Sequence, residues 1–314
     1  MSVQQSVNER LAALTEAGTS VWLDQIRRNL IVSRGDPSGA PLEISELERL
    51  VREDSLRGVT SNPAIFEKAI LGSDDYDEEI SRGAEEGLSS KDIYERIAVK
   101  DVQLAADVMR QVWDATGGDD GFVSLEVSPD VANDTDATLA EARDFWQRVD
   151  RPNVMIKIPG TDAGVPAIED AIADGININV TLLFSVEAYE RVAEAYIRGL
   201  ERRLDAGESI EMRSVASFFV SRVDTEVDKR LEQAGNTDLQ GTAAVANARA
   251  AYMRFKEIFE GDRFAKLREA GAAVQRPLWA STGVKNPHYP DTKYVDTLVA
   301  PHTVNTMPMP TLLA

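Results

Sequence analysis

One lysine stands where a lysine is costly. In the run NVMIKIPGTDAG, Asn153 to Gly164, Val154, Ile156 and Ile158 share one parity and Met155, Lys157 and Pro159 the other, which is the alternation of a buried strand. An ammonium ion there must be paired, hydrated or free to lose its proton. In a closed, partly desolvated site a lysine pKa can fall from about 10.4 toward neutrality, and the free amine can attack a carbonyl carbon, the opening step of Schiff-base chemistry. The plainer reading is a lysine near a strand end whose head snorkels to water or pairs with a carboxylate. Taken alone, this stretch favours the plainer reading.

Composition narrows the other chemistry. The chain of 314 residues has no Cys, which removes disulfides, thiolate ligands and cysteine nucleophiles and suits a reducing compartment. Its two histidines, His288 and His302, make neither an HExxH metal site nor an easy histidine triad. Carboxylates, lysine, hydroxyls and amides remain. The 53 Asp+Glu against 34 Lys+Arg give a net charge of -19, which argues against nucleic acid or an anionic membrane as partner. An anionic small molecule would have to be met by a few local cations, so Arg and Lys near strand ends carry information. The N-terminus has no apolar core of signal-peptide type and no window approaches a membrane span, so a cytoplasmic protein is expected.

The elements that would position Lys157 follow from the same period argument. Residues 5–17 read as an opening helix, and Ser45 caps a second before ELERLVRE. RGVTSNPAIF reads as a short strand ending at Asn62, where Pro63 turns the chain. An acidic helical stretch, Glu67 to Thr116, carries Ile93, Ile97, Leu104, Val108 and Val112 as core contacts. SVWLDQI, GFVSLEVSP, the Lys157 run, NINVTLLFS, SVASFFVSRVD, RPLWASTGVKN and DTLVAP complete eight short strands, most separated by helices. In NINVTLLFS, Ile178, Val180 and Leu182 oppose Asn177, Asn179 and Thr181.

Eight such units favour a closed (β/α)8 TIM barrel with additional helices, an α/β fold whose active sites lie at the strand carboxyl ends. Asp24, Asn62, Glu126, Lys157, Asn179, Thr181 and Ser217 all fall near those ends, opposite the aliphatic parity wherever alternation is readable. No GxGxxG or GxxxxGK[ST] loop supports a doubly wound sheet. One barrel domain over residues 1–314 is expected, with two domains possible. Asp24 and Glu126 are the acidic residues at inward positions near Lys157, and an amine with two carboxylates suits carbon–carbon bond chemistry through an iminium ion. Asn62, Asn179 and Ser217 suit a polyol as neutral hydrogen-bonding groups. Taken singly, Asp24 and Glu126 each read better as a salt-bridge partner or helix-capping carboxylate, and the plainer reading of Asn62, Asn179 and Ser217 is a turn or strand-end group bonding its own backbone.

Through GVTSNPAIF, VSLEVSP, VMIKIPGTDAG, INVTLLFS, VASFFVSRVD and VNTMP, in that order, nearly the whole chain resembles the transaldolase family, the class I aldolase-type enzymes of the non-oxidative pentose phosphate pathway. The resemblance implies that Lys157 is the Schiff-base lysine. It implies that Glu126 and Thr181 position and activate the water of imine formation and hydrolysis, and that Asp24 takes the proton of the substrate C4 hydroxyl. Asn62, Asn179 and Ser217 become ligands of the dihydroxyacetone unit, Phe219 an aromatic wall and Arg222 a phosphate ligand.

Where the family often has Ser-aromatic-Arg after the seventh strand, this chain has Ser281-Thr282-Gly283 with Lys285 beyond, so Ser281 and Lys285 are assigned the second phosphate contact. Relatives continue past VNTMP into further helices, whereas this chain ends at Ala314. The expectation is an eighth strand lacking its usual cover, with its apolar surface masked by a partner chain or costing stability. The implied partners are sugar phosphates, with no metal or organic cofactor and a monomeric or homodimeric state. The rivals are a phosphosugar aldolase that releases free dihydroxyacetone, and a non-catalytic barrel that binds sugar phosphates.

Overall fold

Alternating side chains on eight strands divide the molecule into an inner and an outer core. The computed structural model describes residues 7–33 and 44–314. The strands are β1 Thr19–Asp24, β2 Gly58–Thr60, β3 Phe122–Glu126, β4 Val154–Pro159, β5 Ile178–Leu183, β6 Ser214–Phe219, β7 Gln275–Ala280 and β8 Thr303–Met307. Each is parallel to its neighbours in chain order, and β8 returns to pair with β1. The fold is therefore a closed (β/α)8 barrel with added helices. Helices after most strands supply the long crossovers that parallel pairing requires. The outer parity, with Val21, Leu23, Ile156, Ile158 and Val180, packs on those helices. The inner parity forms a separate apolar floor of Trp22, Phe122, Met155, Val215, Leu278 and Val304, with Phe219 and Ala280 above it. Gly58 admits the Trp22 indole, whose ring lies 2.4 Å from where a Cβ would stand.

Register places the chemistry on adjacent strands. Lys157 pairs with Glu126 on one side and Asn179 on the other, and Asp24 pairs with Thr60. At the opposite, N-terminal end the barrel is plugged by polar groups. Arg276 Nη1 donates to Asp120 Oδ1 at 3.1 Å, Arg276 Nη2 to Thr303 O at 2.8 Å, and Trp22 Nε1 to Asp120 Oδ1 at 3.2 Å.

Several elements differ from their sequence reading. The opening helix is Glu9–Glu16, capped by Asn8; residues 5 and 6 lie outside the described residues. Strand β2 stops at Thr60, and Asn62 instead caps a helix, Pro63–Leu71, by accepting from Ile65 N at 3.0 Å. Proline at the first helical position, where its missing N–H costs nothing, makes this a start rather than a mere turn. DTLVAP is not the eighth strand. It forms a turn whose Leu298 carbonyl accepts from Trp279 Nε1, while β8 is Thr303–Met307. Leu182 is not on the aliphatic face either. Its φ of 62° accompanies a register shift between Val180 and Leu183, so Leu183 takes the buried place and Leu182 is 44% exposed. The Ser45 cap holds, accepting from Glu48 N at 3.2 Å, and the acidic stretch contains the long helix Ser90–Ala115.

Candidate active site

Strand β4 delivers Lys157 to the barrel interior, where it is 6% exposed. Its Nζ lies 3.1 Å from Glu126 Oε2 and donates to the Ser61 carbonyl at 3.1 Å. The amine is thus both paired with a carboxylate and aimed into a cavity of about 340 Å³ at the carboxyl ends of the strands. Lys157, Glu126, Asp24, Thr181, Asn62, Ser217, Phe219, Arg222, Ser281 and Lys285 all line this cavity. Asn179 is set back from it. Fully buried, it donates to Ser124 Oγ at 3.0 Å and accepts from Ser217 Oγ at 2.7 Å, so it orients Ser217 beneath the cavity.

Two buried oxygens on residues that line this cavity keep unused hydrogen-bonding capacity. Among the described residues Thr181 Oγ1 has no hydrogen-bond partner, and Glu126 Oε2 has its ion-pair contact with Lys157 but no well-directed hydrogen bond. Leaving such groups unmade is costly, so their free capacity is available to whatever enters. Behind them, burial and then the charge of Glu126 push the Tyr94 phenol up, keeping it protonated.

Asp24 is held by a short hydroxyl relay. Thr60 Oγ1 donates to Asp24 Oδ1 at 2.8 Å and lies 2.7 Å from Thr306 Oγ1. With its proton committed to Asp24, Thr60 must accept from Thr306. Asn62 uses its side-chain carbonyl to cap the helix, which leaves the amide nitrogen as its donor toward the cavity.

The mouth is cationic. Arg222 is the second residue of the helix Ser221–Gln233, whose start has no side-chain cap, and its guanidinium carbon sits 5.0 Å over the Phe219 ring. Ser221 Oγ and Ser281 Oγ are 3.0 Å apart, with Ser281 at φ 55°. Lys285 and Lys68 complete the rim. Among the described residues no carboxylate pairs with Arg222, Lys285 or Lys68, a notable absence on an acidic chain. Backbone N–H groups at a helix start and free guanidinium and ammonium groups together suit an oxyanion such as phosphate.

Thr60, Thr306 and Lys68 escaped the sequence reading. The first two share the inward parity of Asp24 and Glu126, a signal available in GVT and in VNTM. Lys68 follows Asn62 and Ile65 at three-residue steps, which puts all three on one side of the helix Pro63–Leu71, whereas the sequence suggests a turn at Pro63 and helix only from Glu67. Among the described residues no group of three His, Cys, Asp or Glu side chains converges as a metal site, and no helix is long and apolar enough to cross a membrane.

Comparison with known proteins agrees with this geometry. A family model described as transaldolase/fructose-6-phosphate aldolase matches residues 21–314. The protein named transaldolase of Mycobacterium marinum is 51% identical over 312 residues, covering 98% of this chain and 81% of the relative. That of Saccharopolyspora erythraea is 50% identical over 311 residues, with the same coverage. A protein of Streptomyces avermitilis named transaldolase 1 is 51% identical over 310 residues, covering 98% of this chain and 79% of the relative.

Proposed function

This chain belongs to the transaldolase/fructose-6-phosphate aldolase family, and from that membership we infer that its pocket captures a ketose phosphate as an imine on Lys157. Its activity is that of a transaldolase, an enzyme that transfers a ketone-bearing fragment between sugars. The donor is sedoheptulose 7-phosphate and the acceptor glyceraldehyde 3-phosphate, giving erythrose 4-phosphate and fructose 6-phosphate. Lys157 passes a proton to Glu126, 3.1 Å away, and the free amine adds to the donor C2 carbonyl. Glu126, acting through a water held by Thr181, returns the proton to the carbinolamine hydroxyl, which leaves as water. Asp24, oriented by Thr60, then takes the C4 hydroxyl proton. The C3–C4 bond breaks, its electrons moving into the iminium to give an enamine while the aldehyde product departs. The acceptor aldehyde is attacked by the enamine, Asp24 gives the proton back, and hydrolysis frees Lys157.

Asn62 and Ser217 hold the dihydroxyacetone hydroxyls, with Asn179 behind Ser217. Arg222, Ser281 and Lys285 take the phosphate, and Phe219 walls the pocket. The steps use side chains of one barrel domain, in a cytoplasmic protein. The observation that carries the reading is the Lys157 amine inside the barrel, beside Glu126 and under a cavity bordered by Asp24. Borohydride added with fructose 6-phosphate is expected to leave a reduced three-carbon adduct on the peptide bearing Lys157, seen by mass spectrometry. An unmodified Lys157 removes the mechanism. Because the family description also names an aldolase, free dihydroxyacetone is assayed without an acceptor, and its release at the rate of transfer would assign aldol cleavage instead.

A further inference from the structure

Next to the site, three chain segments meet on two buried carboxylates that the mechanism does not use. Asp224 and Asp228 lie one turn apart on the helix Ser221–Gln233 and are 1% and 8% exposed. Asp224 Oδ1 accepts from Ala244 N at 2.7 Å, and its Oδ2 accepts from the Tyr294 hydroxyl at 2.7 Å and from Lys293 Nζ at 3.4 Å. Asp228 Oδ1 accepts from Gly241 N at 2.7 Å and its Oδ2 from the Tyr289 hydroxyl at 2.6 Å. The Lys293 ammonium sits 3.6 Å from the centroid of the Tyr289 ring. Fit is close: a Cβ on Gly241 would stand 2.4 Å from Lys293 Nζ and 2.7 Å from a Tyr289 ring carbon. Burial, then the bond to Asp228, pushes the Tyr289 phenol up to about 12, so it remains a donor. Lys285 borders both this cluster's cavity and the active-site cavity, while Arg222 rides on the same helix as the two aspartates.

We propose that the bonds Tyr289–Asp228 and Tyr294–Asp224 latch the loop 284–292 onto the helix bearing Arg222, so that Lys285 and Arg222 meet a substrate phosphate as a preset pair. The inference rests on the reading of those two cations as phosphate ligands. A lysine on an untethered loop loses loop and side-chain freedom when it binds. The latch makes that loss part of folding and leaves less to lose at binding. Tyr289 is a positioning residue: its hydroxyl is turned to Asp228, away from any substrate.

The test uses the full chain with saturating sedoheptulose 7-phosphate, erythrose 4-phosphate release as the readout, and two acceptors, D-glyceraldehyde 3-phosphate and unphosphorylated D-glyceraldehyde. Tyr289→Phe is expected to raise KM for the phosphorylated acceptor about threefold to tenfold. KM for the unphosphorylated acceptor and kcat are expected to change less than about twofold. Hydrogen exchange of the 284–292 amides should accelerate in the same variant. Lys285→Ala serves as the reference for loss of the phosphate contact. If Lys285→Ala raises the phosphorylated KM and Tyr289→Phe does not, the latch is overturned while the phosphate reading stands. If both acceptors suffer equally in Tyr289→Phe, the tyrosine is structural and the latch is also overturned. Should Lys285→Ala itself leave both KM values unchanged, the phosphate reading fails, and this inference with it.

Discussion

Thr181 is where stability and function pull apart most clearly. Its hydroxyl is buried in the cavity that Lys157 and Glu126 also line and, among the described residues, has no hydrogen-bond partner, whereas Ser217 on the next strand donates to Asn179. An unmade buried hydroxyl costs about 1–3 kcal/mol, and a methyl of the same shape removes that cost. Thr181→Val is therefore expected to leave the melting temperature unchanged or raise it, while kcat falls about 10- to 100-fold if, as proposed, this hydroxyl anchors the water of imine formation and hydrolysis. Thermal melts and steady-state kinetics on one preparation check both signs. A lower melting temperature with unchanged kcat would make the residue part of the scaffold. The neighbouring relay from Thr306 through Thr60 to Asp24 shows the opposite design, in which hydroxyls spend their bonds on aiming a carboxylate.

Among the elements, the long helix Ser90–Ala115 shows how local chemistry writes a boundary. Ser89 and Asp92 form a reciprocal cap: Asp92 N donates to Ser89 Oγ at 3.2 Å, and Ser89 N donates to Asp92 Oδ2 at 3.2 Å. Ser89→Ala is expected to cost about 1 kcal/mol in a denaturant titration. The hydrogen bonds from Ser89 hold the Asp92 carboxyl below its ordinary value. A group depressed on folding stabilises above its unfolded pKa, and that contribution fades as pH falls through the folded value. Wild type should exceed Asp92→Asn in melting temperature near neutrality, with the gap closing in acid; a gap independent of pH would remove the carboxylate from the account. Such caps are visible in sequence because donor and acceptor are three residues apart. The same holds for the inward parity of Asp24, Glu126 and Lys157, which alternation exposes. What alternation misses are positions where the backbone leaves its period. At Leu182 a left-handed residue slips the parity of β5, and in β8 buried polar residues replace the expected aliphatics. Thr303 Oγ1 contacts Thr19 Oγ1 at 2.9 Å, and Asn305 Nδ2 donates to Tyr294 O. Asn62 was legible as a site residue but not as a cap, because a proline after it reads as a stop and a start alike.

For the molecule as a whole, the barrel's two ends have separate duties. The carboxyl end gathers free cations, Arg222, Lys285 and Lys68, on a chain of net charge -19, so attraction for an anionic substrate is local and the rest of the surface is acidic. The amino end carries instead a paired cluster. Arg276 and Asp120, with side chains 16% and 11% exposed, tie β7 to β8 through the Thr303 carbonyl and to the segment entering β3. An apolar floor that includes Trp22, Phe122 and Leu278 separates the two ends. Conservative removal of the guanidinium, Arg276→Met, leaves Asp120 buried without its cation, a change expected to cost about 3–5 kcal/mol. Because the floor intervenes, the folded enzyme should keep its kcat and KM at 25 °C while its melting temperature drops by several degrees. Loss of turnover at an unchanged melting temperature would contradict this, since it would mean that the amino-end cluster acts on the chemistry through the floor rather than by closing the barrel.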